Sequence, residues 1–101
     1  MFFGKGKARR NPNEYKIILK RNKLLGEWAG AALRFDGDDL KAFVEEVIQE
    51  DFMEPGDEDV VRFLTRRFKR HGVALSESDI RKQIAVCYDE AARDQAQPTG
   101  T

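Results

Sequence analysis

The sequence predicts an all-α fold, a four-helix bundle with a flexible basic N-terminal segment. Three observations carry this expectation. The 101-residue chain is rich in Ala, Leu, Glu, Lys and Arg, the strong helix formers. Its prolines, Pro12, Pro55 and Pro98, all fall between apolar-periodic segments. Those segments repeat at three- and four-residue spacing and are joined by short connections rich in glycine and aspartate, so neighbouring helices must pack side by side. A chain of this length forms one domain. The expected layout is a flexible arm over residues 1–12, a helical domain over 13–93 and a frayed tail over 94–101.

Residues 1–11 combine Gly4 and Gly6 with Lys5, Lys7, Arg9 and Arg10 and show no apolar period, a composition that stays disordered alone. Asn11 is the expected N-cap, with Pro12 in the first helical position, where its missing N–H is not needed. Tyr15, Ile18, Leu19, Leu25, Trp28, Ala29, Ala32 and Leu33 follow helical spacing to about Leu33, and Asn22 interrupts the stripe. Gly26 and Gly30 lower intrinsic helicity by about 1 kcal/mol each, and they permit close approach of another helix. Asp36-Gly37 marks a turn. The second helix begins near Asp38, with Leu40, Phe43, Val44, Val47, Ile48 and Phe52 on its apolar face.

Asp51-Phe52-Met53-Glu54-Pro55-Gly56-Asp57-Glu58-Asp59-Val60 reads as a helix stop followed by a helix start. Pro55 disfavours helical geometry at Glu54, and Gly56 relieves the tight connection. Asp57 offers a carboxylate to cap the third helix, whose positive N-terminal end Glu58 and Asp59 complement. Val60, Val61, Phe63, Leu64 and Phe68 face inward, and Gly72 ends the helix. Ser76 and Asp79 form a capping-box variant for the fourth helix. That helix buries Ile80, Ile84, Cys87, Tyr88 and Ala91 and frays after Arg93.

Eighteen basic and eighteen acidic residues cancel, but they are segregated. Lys5, Lys7, Arg9, Arg10, Lys16, Lys20, Arg21 and Lys23 face only Glu14 over residues 1–23; acids dominate 24–61; Arg62, Arg66, Arg67, Lys69 and Arg70 follow with no acid among them. Such blocks either pair within the fold or steer association with an oppositely charged surface. Cys87 is the single cysteine, which suits a reducing compartment, and no apolar run approaches a signal peptide or a membrane span. A soluble cytoplasmic protein without direct membrane insertion is expected, monomeric when free.

Catalytic and cofactor motifs do not fit. Asp36-Gly37-Asp38-Asp39 opens like a calcium loop, but the position for the bidentate glutamate holds Val47. His71, just before Gly72, reads as a helix-terminal cation, and Cys87 reads as a small core residue. Gly4-Lys5-Gly6-Lys7 lacks the ending of a phosphate loop. Basic residues among Phe2, Phe3 and Tyr15 suit nucleic acid in principle, but the acidic middle of the chain opposes a polyanion. The sequence therefore points to a protein-binding arm, with no enzyme activity, cofactor, metal or nucleic-acid partner.

Two blocks carry a family resemblance. Arg21-Asn22-Lys23-Leu24-Leu25-Gly26 with Trp28-Ala29 resembles the first-helix segment of the zeta-type inhibitor subunit of the bacterial proton-translocating ATP synthase. Asp51-Phe52 with Glu54-Pro55-Gly56-Asp57-Glu58-Asp59-Val60 resembles the signature loop of the same family, and Gly72-Val73, Ser76 and Ile80 fall where it places the third loop and fourth helix. The likeness covers residues 20–93. It implies a four-helix inhibitor that associates with the α and β subunits of the catalytic sector, peripheral to the inner membrane. The N-terminal segment would enter an α/β catalytic interface and block rotation in the direction of hydrolysis. The resemblance assigns partner contact to Phe2, Phe3, Arg9, Arg10, Tyr15, Lys16 and Leu19.

The arm departs from the family pattern. The family's inhibitory region begins with an aromatic followed by alternating acidic and basic residues; this chain reads Met1-Phe2-Phe3-Gly4-Lys5-Gly6-Lys7-Ala8-Arg9-Arg10 and is shorter before Arg21. Tyr15-Lys16 matches an aromatic–basic pair of the family, and Phe2 or Phe3 stands in for another aromatic anchor. Two readings follow: a working inhibitor whose arm folds on the enzyme, or a non-inhibitory helical interaction module with a diverged N-terminus that binds the synthase or another acidic partner.

Overall fold

The computed structural model describes residues 12–51 and 56–96. These form four α-helices in chain order, α1 (Pro12–Ala32), α2 (Gly37–Asp51), α3 (Glu58–Arg70) and α4 (Glu77–Ala96), with no strand among the described residues. The all-α, four-helix expectation holds. α1 is the central element and packs along both α2 and α4, while α3 closes against α2 and α4. Asn11, Phe52, Glu54, Pro55 and the arm residues Phe2, Phe3, Arg9 and Arg10 lie outside the described residues.

One contiguous core is drawn from every helix. Leu25, Ala29 and Leu33 meet Phe43 and Val47 from α2, Val60, Val61, Leu64 and Phe68 from α3, and Ile80, Ile84 and Cys87 from α4. Trp28 packs edge-on to Phe68 with ring centroids 5.8 Å apart, a favoured aromatic geometry. Burial pushes the Cys87 thiol above its usual range, which keeps it an unreactive core residue. Tyr15 stands apart from the expected stripe with 45% of its surface exposed. Tyr88 is only half-buried, and its hydroxyl donates to Glu14 Oε1 at 3.3 Å.

The helix ends are where local chemistry decides the path. α3 closes as expected: Gly72 takes the left-handed conformation (φ 70°), and Val73 N–H and Gly72 N–H donate back to the carbonyls of Phe68 and Lys69. α1 closes by the same motif, with Phe35 N–H bonded to Gly30 O and Arg34 N–H to Ala31 O, but the left-handed residue is Arg34 (φ 68°) rather than a glycine. Phe35 is thereby folded back, edge-on to Phe43, with centroids 5.3 Å apart. At the start of α4, Asp79 N–H donates to Ser76 Oγ (3.1 Å) while Asp79 Oδ2 accepts from Ser76 N–H (2.9 Å). The backbone bond, then the hydroxyl bond, holds the Asp79 carboxyl below its usual range. α4 continues beyond Arg93 to Ala96.

Asp57 does not cap α3 with its side chain, contrary to the sequence expectation. Its carboxylate meets the Arg21 guanidinium instead, where attraction between two full charges adds to the hydrogen bond. Glu58 and Asp59 occupy the first turn and complement its dipole.

Gly26 and Gly30 let α1 and α2 approach closely. A Cβ at Gly26 would sit 3.1 Å from the Val44 Cα and 3.2 Å from its Cγ2, so the obstacle is partly backbone. At Gly30 the Cβ would meet Leu40 Cδ1, the end of a half-buried side chain that can rotate away. Overpacking costs about 1–3 kcal/mol, against about 1 kcal/mol gained in helix propensity. Gly26→Ala is therefore expected to lower the melting temperature, by about 4–8 °C for each kcal/mol lost, whereas Gly30→Ala stays near neutral. Equal shifts in thermal melts of the two variants would contradict this packing argument.

Candidate functional site

The two sequence blocks, thirty residues apart, converge on one buried polar cluster. Arg21 and Asn22 come from the middle of α1, Asp51 is the last residue of α2, and Asp57 immediately precedes α3. Arg21 donates from Nη2 to Asp51 Oδ1 (3.2 Å) and from Nη1 to Asp57 Oδ1 (2.9 Å). Asn22 Oδ1 accepts from Arg21 Nη2 (2.8 Å) and Nε (3.1 Å), and Asn22 Nδ2 donates to Asp51 Oδ2 (3.0 Å). Arg21, Asn22 and Asp51 are 3%, 0% and 2% exposed, so the network lies inside the protein and only Asp57 reaches solvent. Among the described residues no buried side-chain nitrogen or oxygen lacks a partner.

Asn22 therefore does not break the apolar stripe of α1; it lies on the buried side and joins α1 to the end of α2. Chemically this cluster is a clasp, since its donors and acceptors are saturated by one another. It fixes the middle of α1 to the end of α2 and to Asp57, the residue before α3. The other motif residues also serve the fold. Lys23 is exposed, Leu24 rests on the core, Leu25 is fully buried and Gly26 abuts Val44. Glu58 Oε1 accepts from Arg81 Nη2 (3.0 Å), tying α3 to α4, and Asp59 pairs with Arg62. The Arg81 hydrogen bond, with its charge, holds the Glu58 carboxyl below its usual range.

The N-terminal half of α1 lies against α4. Ile18 is buried, Asn13 Oδ1 accepts from Gln95 Nε2 (3.3 Å), and Lys20 pairs with Asp94 (3.3 Å). Of the residues assigned to partner contact, Tyr15 and Lys16 are exposed on the first turns of α1 and Leu19 is half-buried. A groove of about 480 Å³ opens beside the clasp, lined by Ile18, Arg21, Asp57, Arg81, Ile84 and Tyr88. Its cations are already paired, Arg21 with Asp57 and Arg81 with Glu58 and Glu77.

The family model for ATPase inhibitor subunit zeta matches residues 5–94, a span that takes in both halves of the clasp. The chain belongs to the ATPase inhibitor subunit zeta family. Comparison with curated proteins and with solved structures gives no match. A zeta subunit is a regulator, an inhibitor that associates with ATP synthase. Among the described residues no helix is long and apolar enough to cross a membrane. The clasp accounts physically for the zeta-like residues Arg21, Asn22, Asp51 and Asp57.

Proposed function

We propose that this zeta subunit blocks ATP hydrolysis by inserting its N-terminal segment into an α/β interface of the catalytic sector. A helix wedged there opposes the closing and opening that hydrolysis requires, while α2, α3 and α4 remain outside. The observation that carries this reading is the extent of the family match, which begins at residue 5 and so takes in most of the arm as well as the body. The geometry of α1 supports it. The helix is continuous from Pro12 to Ala32, is clasped at Arg21, and presents Tyr15 and Lys16 at its N-terminal end. The arm thus issues from a rigid, anchored lever. Contact falls to Phe2, Phe3, Arg9, Arg10, Tyr15, Lys16 and Leu19, and the protein is held at the inner membrane through the synthase.

A second reading draws on Gly4 and Gly6, each of which disfavours a helical arm by about 1 kcal/mol. In it the body binds the synthase and the arm does not inhibit.

Titration of hydrolysis by the cognate catalytic sector with the wild-type protein and with Tyr15→Ala tests the first reading. Truncating an interfacial aromatic is expected to weaken inhibition about tenfold or more, with the melting temperature unchanged. A Tyr15→Ala protein that melts early would make Tyr15 a core residue and sink its assignment to partner contact.

A further inference from the structure

The outer side of α3 is a basic face that is mostly unpaired among the described residues. At 3.6 residues per turn, Arg62, Arg66, Lys69 and Arg70 fall within a sector of about 100°, opposite the buried Val60, Val61, Leu64 and Phe68. All four are exposed. Arg62 pairs with Asp59; among the described residues Arg66, Lys69 and Arg70 make no ion pair. The neighbouring Arg67 behaves differently. Its guanidinium lies over the rings of Phe43 (5.4 Å) and Phe63 (5.2 Å) and pairs with Glu46 (2.7 Å), which makes a rigid, half-buried edge along the basic face.

We propose that this face docks on an acidic protein surface of the catalytic sector, outside the α/β interface that the arm enters. The inference rests on association with the synthase but not on insertion of the arm. Arg62, Arg66 and Arg70 recur every four residues, about 6 Å apart along the helix, a spacing matched by carboxylates at four-residue intervals on a partner helix. The occupant is a bounded acidic patch rather than a polyanion or a bilayer. The outer side of α2, beside it, exposes Asp38, Asp39 and Glu45 and would repel an extended negative surface. The basic face also carries no exposed apolar side chain to enter a membrane.

The test measures, in parallel, binding of the full-length protein to the cognate catalytic sector and inhibition of its hydrolysis, at about 50 and 200 mM salt. The variants are Arg66→Glu/Lys69→Glu/Arg70→Glu and Arg66→Lys/Arg70→Lys. The charge-reversed protein is expected to bind about tenfold or more weakly, to show a shallower salt dependence, and to inhibit to the wild-type extent once saturating. The lysine variant is expected to bind like wild type. Unchanged affinity and salt dependence on charge reversal would overturn the proposal. So would charge-dependent binding to phosphatidylcholine–phosphatidylserine vesicles or single-stranded DNA with none to the catalytic sector. Charge-dependent binding without inhibition would uphold this face and overturn the insertion of the arm.

Discussion

Arg21→Met is expected to destabilise the protein by about 3–5 kcal/mol, a large share of the roughly 5–15 kcal/mol that holds a domain of this size folded. The reason is what the substitution leaves behind. Asp51, with its side chain 0% exposed, would lose the Arg21 charge and, among the described residues, keep the Asn22 amide. Asn22 Oδ1 would lose both its donors at a site sealed from water. Asp57→Asn touches the same network yet is expected to change stability by about 1 kcal/mol or less, because that carboxylate is 38% exposed and solvent replaces its partner. Arg21→Met/Asp51→Leu should recover part of the loss, since removing both charges avoids stranding either; Asn22 then keeps recovery incomplete. Urea unfolding of the three variants checks the order. A loss below about 1 kcal/mol for Arg21→Met would mean that the clasp does not bind α1 to the body.

Deletion of residues 1–11 is expected to abolish inhibition over about two decades of concentration, equivalent to about 2.7 kcal/mol, while the body still melts as one unit. The cut is placed by the structure. Residues 1–20 together look like the inhibitory part of the sequence, but Ile18 is buried, and Glu14 and Lys20 bond to Tyr88 and Asp94 of α4. Removing residues 12–20 would therefore damage the bundle and confuse loss of fold with loss of function. Cutting after Asn11 removes Phe2, Phe3, Arg9 and Arg10 and leaves α1 whole.

The helices were legible because periodicity and breakers agree. Gly72 and the Ser76–Asp79 pair marked real helix ends, since both act through neighbours three or four residues away. Arg34 was not legible. Nothing local marks a left-handed arginine, and the burial of Phe35 against Phe43, which fixes the turn, depends on a residue in the next helix. Tyr15 matched the helical spacing yet is 45% exposed on the first turn of α1, because spacing marks a face of the helix but not how far the neighbouring helices cover it.

The clasp was legible as two motifs but not as a structure. Asn22 looked like a fault in an apolar stripe and Asp57 like a cap, because a buried polar network is visible only when residues twenty-nine to thirty-six apart meet. The reading of charge blocks was partly resolved in the same way. Arg21 and Arg67 are answered by acids of the middle block, while among the described residues Arg66, Lys69 and Arg70 make no ion pair.

Hydrolysis of ATP by the cognate catalytic sector, titrated with the full chain and with residues 12–101, tests the account most directly. The full chain is expected to bring hydrolysis down to a low residual rate near one-to-one stoichiometry, and residues 12–101 to bind without inhibiting. Full binding by the intact chain with undiminished hydrolysis would contradict it.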